Sequence, residues 1–354
     1  MKIAIIGLGL TGNSIGMGLR RAASARKGQA PALQVTGFDP DRTREEAALR
    51  RYASVDEVAP DLEQAVRGAH IVVLAVPPSA MREVLAALNP LLDEGTTVTD
   101  TLCFKEQVMS WAGELLGPHV SFVGGAPSSR SVDLEAADYD ARPTPDLFAD
   151  SPYAIMPMPG ASNESLAHVI WLAETLGARP LFIDPREHDS FLAAVGQLPV
   201  VASATLWQMA FSSPTWADMK GVARHQFRRL MEVLAADPAT LRDSLVGNRQ
   251  SLIRWLDRYM LALQEMRDLL SDGDAGELLS QLDRAHTSHA QWAARSGEGT
   301  SPDELLHTQM RQAVEEARPG RALIGGYLAD RIFGKKDRGG GGAGGGSPGK
   351  KEGH

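Results

Sequence analysis

Three glycines near the amino terminus set the first chemistry this chain can do. Ile3, Ala4, Ile5 and Ile6 form an apolar run leading straight into Gly7-Leu8-Gly9-Leu10-Thr11-Gly12. A helical run from about Asn13 to Arg26 follows, and a second apolar run, Leu33 to Phe38, ends on Asp39. A G-x-G-x-x-G between a strand and a helix is a pyrophosphate cradle. Gly7 permits the tight turn, Gly9 lets phosphate approach the backbone, and Gly12 lets the helix pack close to the strand. Leu10 and Thr11 belong to the same cofactor-binding turn, which leads into the helix, whose free N–H groups and partial positive charge face the phosphates. Asp39 lies somewhat farther past Gly12 than the usual ~20 residues, and the polar Lys27-to-Pro31 loop accounts for the excess. A carboxylate there accepts hydrogen bonds from ribose hydroxyls and repels a 2′-phosphate, which favours NAD over NADP. Arg42 and Arg44 follow closely and weaken that preference.

The elements that must position these residues alternate. After the helix Thr43 to Tyr52 comes an acidic stretch, Ser54 to His70, that reads as exposed. Strands are predicted at Ala69–Val76, Thr96–Asp100, Val120–Val123, Ser151–Pro157 and Pro180–Asp184, with helices at Ser79–Leu92, Lys105–Leu116 and Glu164–Leu176. Residues 131 to 150 are acidic and proline-containing and read as a loop or lid. This alternation over 1–184 predicts an α/β domain with a doubly wound parallel sheet, the Rossmann arrangement. Ligands bind such sheets at the carboxyl ends of the strands, which places Pro77 and Asp100 on the nicotinamide side.

From residue 185 to about 335 the pattern is all α, with helices near 188–212, 216–236, 239–272, 275–296 and 302–317. Leu198-Pro199 predicts a kink in the first. Helix 239–272 carries an apolar stripe (Leu241, Leu245, Leu252, Ile253, Leu256, Met260, Leu263, Met266), which fits either intrachain core or a subunit interface. Residues 336–354 are dominated by glycine and read as a disordered tail.

Composition bounds the partners. With 354 residues, 43% hydrophobic and 23% charged, the chain has room for two domains of an ordinary globular protein. A net charge of −8 argues against nucleic acid or an anionic membrane as the main partner. A single cysteine, Cys103, fits a reducing cytoplasm. The first residues read as a strand rather than a signal peptide, and no apolar run approaches the ~20 residues of a membrane span. The nine histidines show neither H-x-x-x-H nor H-E-x-x-H spacing, so no metal is expected.

An ordered set of motifs runs through the first 256 residues: GLGLTG, VTGFDP, IVVLAVPP, VTD-x-x-x-x-K (Val98 to Lys105), FVGG-x-P (Phe122 to Pro127), LF-x-x-x-PY-x-x-x-P (Leu147 to Pro157), D-P-x-x-HD (Asp184 to Asp189) and FR-x-x-x-x-x-x-x-x-DP (Phe227 to Pro238). Together they resemble the prephenate/arogenate dehydrogenases of tyrosine biosynthesis. The resemblance implies a Rossmann domain, a helical dimerisation domain and a substrate cleft between them. It also implies oxidation of a cyclohexadienol acid by NAD(P), with loss of a carboxylate as CO₂. Arg228 matches the family arginine that grips a substrate carboxylate, and His188 and Asp189 match a hinge-side pair with a structural role.

The departures fall on the chemistry. Ala126 stands where the family turn has a histidine that hydrogen-bonds the reacting hydroxyl, and Cys103 stands for a serine. Gly196-Gln197-Leu198-Pro199-Val200 replaces Ser-His-Leu-Pro-His, and Arg130 replaces a glycine. Losing a positioned general base costs ~10²–10⁴-fold. His225, which shares a helix face with Arg228, and Cys103 are the candidate replacements, each with a bland alternative: an exposed helix histidine, a small buried side chain. Gln197 could keep one hydrogen bond but takes no proton. Arg130 is either a second carboxylate clamp or a surface arginine. Three outcomes stay open: another cyclic or keto acid as substrate, slow family chemistry, or a catalytically silent NAD-binding partner protein.

Overall fold

The computed structural model describes residues 1–25, 32–129 and 142–295. Arg130, the 131–150 stretch up to residue 141, helix 302–317 and the glycine-rich tail lie outside them.

Eight strands form one sheet in the order β3-β2-β1-β4-β5-β6-β7-β8. They are β1 Lys2–Ile6, β2 Gln34–Phe38, β3 Glu57–Val58, β4 Ile71–Leu74, β5 Thr97–Asp100, β6 Ser121–Pro127, β7 Pro152–Pro157 and β8 Arg179–Phe182. β1 lies between β2 and β4, parallel to both. Its side chains alternate between two apolar layers. Ile3 and Ile5 join Ile15 and Leu19 of α1 (Leu10–Ala25) in one. Ala4 and Ile6 join the other, which includes residues of α3 (Leu62–Val66), α4 (Pro78–Leu88) and α5 (Glu106–Leu115). A strand buried on both faces needs apolar residues at successive positions, which Ile3, Ala4, Ile5 and Ile6 supply after the half-buried Lys2. Between α1 and α3 comes α2 (Arg42–Glu46), which continues as a π turn; α6 (Asn163–Thr175) packs with the first layer.

The sheet differs from the all-parallel expectation at its far edge. β7 runs antiparallel to β6, and β8 is parallel to β7. The reason is in the connections. A parallel neighbour needs a crossover, usually a helix. α6 supplies one between β7 and β8. β3 and α3 occupy the stretch that reads as exposed. Two strand residues carry no measurable period, and α3 is set by its Asp61 cap, whose carboxylate accepts the Gln64 N–H at 2.7 Å.

The second domain is helical: α7 Pro185–Phe191, α8 Leu198–Phe211, α9 Trp216–Val222, α10 His225–Met231, α11 Pro238–Gly247, α12 Arg249–Asp272 and α13 Ala275–Arg295. α7 and α8 are joined without interruption by a π turn, Leu192–Gln197, immediately ahead of Pro199. Proline has no N–H to give and crowds the preceding turn, so the register widens there where a kink was predicted. By length and composition this rod, Pro185–Phe211, would also suffice to cross a bilayer, contrary to the sequence reading. Helix 239–272 is two helices, broken at Asn248. The apolar stripe is divided: Leu252 is buried, whereas Ile253, Met260 and Leu263 are each more than half exposed. Its first part joins the intrachain core and its later part leaves apolar side chains open among the described residues.

Candidate active site

The glycine loop is built as its spacing requires. Gly7 has φ +98°, and a Cβ there would lie 2.4 Å from the Ala75 carbonyl oxygen. A Cβ on Gly12 would lie 1.9 Å from the Gly7 oxygen, whereas one on Gly9 would meet nothing within 4 Å. The loop is thus closed underneath and open above, as a pyrophosphate needs. α1 begins at Leu10, so the N–H groups of its first turn have no partner within the helix. Asn13 braces the loop from below: its amide donates to the carbonyls of Leu8 and Gly9 and accepts from Ser54 Oγ at 2.6 Å. A lone asparagine in a helix gives no sequence signal for this role. Asp39 closes the far side, accepting the Leu8 N–H at 2.8 Å. Pro77 is exposed at the end of β4, beside the loop.

Asp100 does not face the cleft, as its place at a strand end had suggested. It is fully buried and satisfied from within: Lys105 Nζ donates to it at 2.6 Å, the Leu102 N–H at 3.0 Å and the Gly125 N–H at 3.2 Å. Lys105, equally buried, also donates to the Gly125 carbonyl. This ion pair ties the end of β5 to β6 one residue before Ala126. Tyr153 lies fully buried nearby, and burial, then the Asp100 charge, holds its phenol above the usual range.

The helical domain is fastened to this end of the sheet by polar groups. α5 has no side-chain cap of its own; the Asp189 carboxylate from α7 supplies it, accepting the Lys105 N–H at 2.8 Å and the Glu106 N–H at 2.9 Å. Asn248 donates to the Asp189 carbonyl at 2.7 Å and to Gln197 Oε1 at 2.9 Å. Gln197 Nε2 donates to Ser244 Oγ at 3.0 Å, and that hydroxyl lies 3.5 Å from the exposed Cys103 thiol. Gly247 packs so closely on Phe104 that a Cβ would lie 2.3 Å from its ring. The helix break at Asn248 is therefore the seam between domains.

The fold brings Cys103 and Gln197 together through Ser244, which the sequence did not flag. His225 and Arg228 share α10 but stand exposed, and no hydrogen bond or ion pair joins their side chains to that group among the described residues. α10 instead packs on α8, where Ser203 Oγ donates to the Leu230 carbonyl at 2.7 Å. The expectation that His225 reaches the reacting hydroxyl finds no contact to support it, because α10 leans on the aromatic cluster of Trp207, Trp216 and Phe227.

Comparison with known proteins decides the family. Residues 22–181 match the description "Prephenate dehydrogenase, nucleotide-binding domain", and residues 184–284 match "Prephenate dehydrogenase, dimerization domain". The chain belongs to the prephenate dehydrogenase family. It is 29% identical to a cyclohexadienyl dehydrogenase of Zymomonas mobilis over 282 residues, covering 79% of this chain and 92% of that one. Against a prephenate dehydrogenase of Lactococcus lactis it is 27% identical, covering 75% of this chain and 70% of the other. Among solved structures, arogenate dehydrogenase of Synechocystis superposes with a TM-score of 0.69 at 27% identity, covering 82% of this chain and all of that one. Prephenate dehydrogenase of Aquifex aeolicus, solved with hydroxyphenyl propionate and NAD+, shares the fold with a TM-score of 0.70 at 21% identity, covering 82% of this chain and 98% of that one.

As a prephenate dehydrogenase-type, NAD-dependent oxidoreductase, the chain carries the family's two domains. Ala126 is buried in β6 and packs with Ala154 and Met156 in a small apolar cluster. The glycine cradle fits a dinucleotide, which when bound supplies the hydride acceptor. The second domain's match to the dimerization domain also accounts for the uncovered stripe on α12, and supports a homodimer.

Proposed function

We propose that the chain oxidises a cyclohexadienol carboxylate of the prephenate or arogenate kind with NAD, releasing CO₂. The observation that carries this reading is the cross-domain chain Cys103–Ser244–Gln197–Asn248, which starts just after β5, at the same carboxyl end of the parallel strands as the glycine loop after β1. In this reaction hydride leaves the carbinol carbon and the ring carboxylate departs as CO₂. The electron pair left behind restores aromaticity, so the oxygen ends as a phenol still carrying one proton. No net proton is released. A hydrogen-bond partner that orients and polarises the hydroxyl then suffices, and Cys103 with the Gln197-held Ser244 hydroxyl is assigned that work. Arg228, with Arg130, remains the proposed clamp for a substrate carboxylate. For Arg228 this needs a movement of α10 or a contribution from the second protomer, and dimerisation supports the latter. The biosynthetic relatives and the single cysteine support a cytoplasmic location.

A second reading is favoured by one observation, the apolar surroundings of Ala126: a silent NAD-binding partner protein on the same fold. NADH absorbance on mixing the protein with NAD and prephenate, or arogenate, separates the two. Turnover of either acid supports the enzyme. NAD binding by calorimetry without turnover of either supports the silent protein.

A further inference from the structure

The hydrogen bonds between Asn248, Gln197 and Ser244 have a fixed direction. Asn248, buried at the break between α11 and α12, gives both amide hydrogens away: Nδ2 donates to the Asp189 carbonyl at 2.7 Å and to Gln197 Oε1 at 2.9 Å. Gln197, buried at the end of the π turn before α8, does the same. Its Nε2 donates to the Ser244 carbonyl at 2.9 Å and to Ser244 Oγ at 3.0 Å. A backbone carbonyl has no proton to give. Turning either amide over would set its oxygen against the carbonyl of Asp189 or of Ser244, so these two acceptors hold both side chains in one sense. Ser244 Oγ is thereby an acceptor towards Gln197. Its own proton is left for the other side, where the exposed Cys103 Sγ lies at 3.5 Å. Hydrogen bonds running in one direction polarise one another and strengthen the last donor.

We infer that Asn248 and Gln197 are positioning residues that set the direction of this chain, so that Ser244 donates to Cys103 Sγ and the Cys103 thiol meets the substrate hydroxyl as a donor. The inference rests on the dehydrogenase reading given above and deepens it. A donor suits that reaction, because the oxygen carries a proton from alcohol to phenol and no residue has to take it.

Gln197→Glu in the full-length protein tests it, because an ionised carboxylate of the same shape only accepts. Ionised, it draws the Ser244 proton inward; protonated, it donates again and restores the direction. Burial raises a carboxyl above its usual range, which brings that change into a workable pH window. The ionisable groups around the seam, Cys103, Lys105, Glu106, His188, Asp189 and Arg249, are common to wild type and variant, so the ratio of the two isolates position 197. With NAD and prephenate or arogenate, kcat of Gln197→Glu should lie about tenfold below wild type at about pH 8 and approach it at about pH 6, whereas Ser244→Ala should stay low at both. Alkylation of Cys103, the chain's single cysteine, by iodoacetamide reads the same chain without substrate. Relative to wild type it should slow several-fold in Ser244→Ala, and in Gln197→Glu more at about pH 8 than at about pH 6. Melting temperature and NAD calorimetry are the fold controls, and Ser244→Ala carries the test should Gln197→Glu not fold. A Gln197→Glu deficit that ignores pH, or Ser244→Ala at the wild-type kcat and alkylation rate, would overturn the inference. A wild type that turns over neither acid removes the dehydrogenase reading. Slower alkylation in the variants then leaves the positioning role standing, and rates unmoved in both sink it as well.

Discussion

At the scale of single residues, the buried pair Lys105–Asp100 sets the shape of the site without touching it. Both side chains have no exposed surface. Removing one partner strands a charge, at a cost of ~3–5 kcal/mol. Lys105→Met should therefore lower the denaturation midpoint sharply, and adding Asp100→Asn should recover much of the loss. Equal destabilisation by single and double variants would contradict this. His168 offers a pH test. It is buried against Thr97, with its Nδ1 2.8 Å from the hydroxyl. Burial, then the His70 charge, lowers its pKa from 6.5 to about 4. The native state thus refuses a proton that the unfolded chain binds below pH 6.5. Stability should fall as pH drops from about 6.5 to about 4, by up to roughly 3 kcal/mol from this group. His168→Gln should flatten that slope in denaturant melts; an unchanged slope would exclude His168 as its source.

At the scale of elements, the domain seam is a borrowed helix cap. α5 begins without a capping side chain, and Asp189 on α7 reaches across to serve its first N–H groups. Loss of a cap costs ~0.5–2 kcal/mol, and here the freed N–H groups are partly buried. Asp189→Ala should lower stability by that order and raise KM for the acid, because the Cys103–Ser244 spacing is no longer held; Asp189→Asn, keeping an acceptor, should do less of both. Unchanged KM would separate the clasp from the site. Gly7 and Gly12 were legible in the sequence because each answers a local steric demand. The N–H groups of Leu8 and Asp41 that Asp39 accepts were not legible, since spacing says nothing about which N–H groups a carboxylate finds. Ser244 and Asn248 left no trace, because each matters through partners some fifty or more residues away in the chain. The antiparallel turn of β7 and the two residues of β3 were hidden for the same reason: pairing direction and edge strands are decided by tertiary contacts, not by periodicity.

At the scale of the molecule, the apolar faces left open on the helical domain call for a second copy. Leu261, Leu270 and Leu279 are each 61% exposed or more, and Val195 on the long rod is 80% exposed. So much uncovered apolar surface fits the match to a dimerization domain rather than a finished monomer. Sedimentation should show a dimer, and Leu261→Glu should weaken it by burying an unpaired charge at the contact; a wild-type monomer would contradict this. The central claim is that hydride transfer and loss of the ring carboxylate occur together in this cleft. Prephenate or arogenate carrying isotopic label in the ring carboxylate, incubated with NAD and the full-length protein, tests it most directly. The prediction is labelled CO₂ released mole for mole with NADH. NADH formed without CO₂, or neither formed while NAD is demonstrably bound, would contradict it.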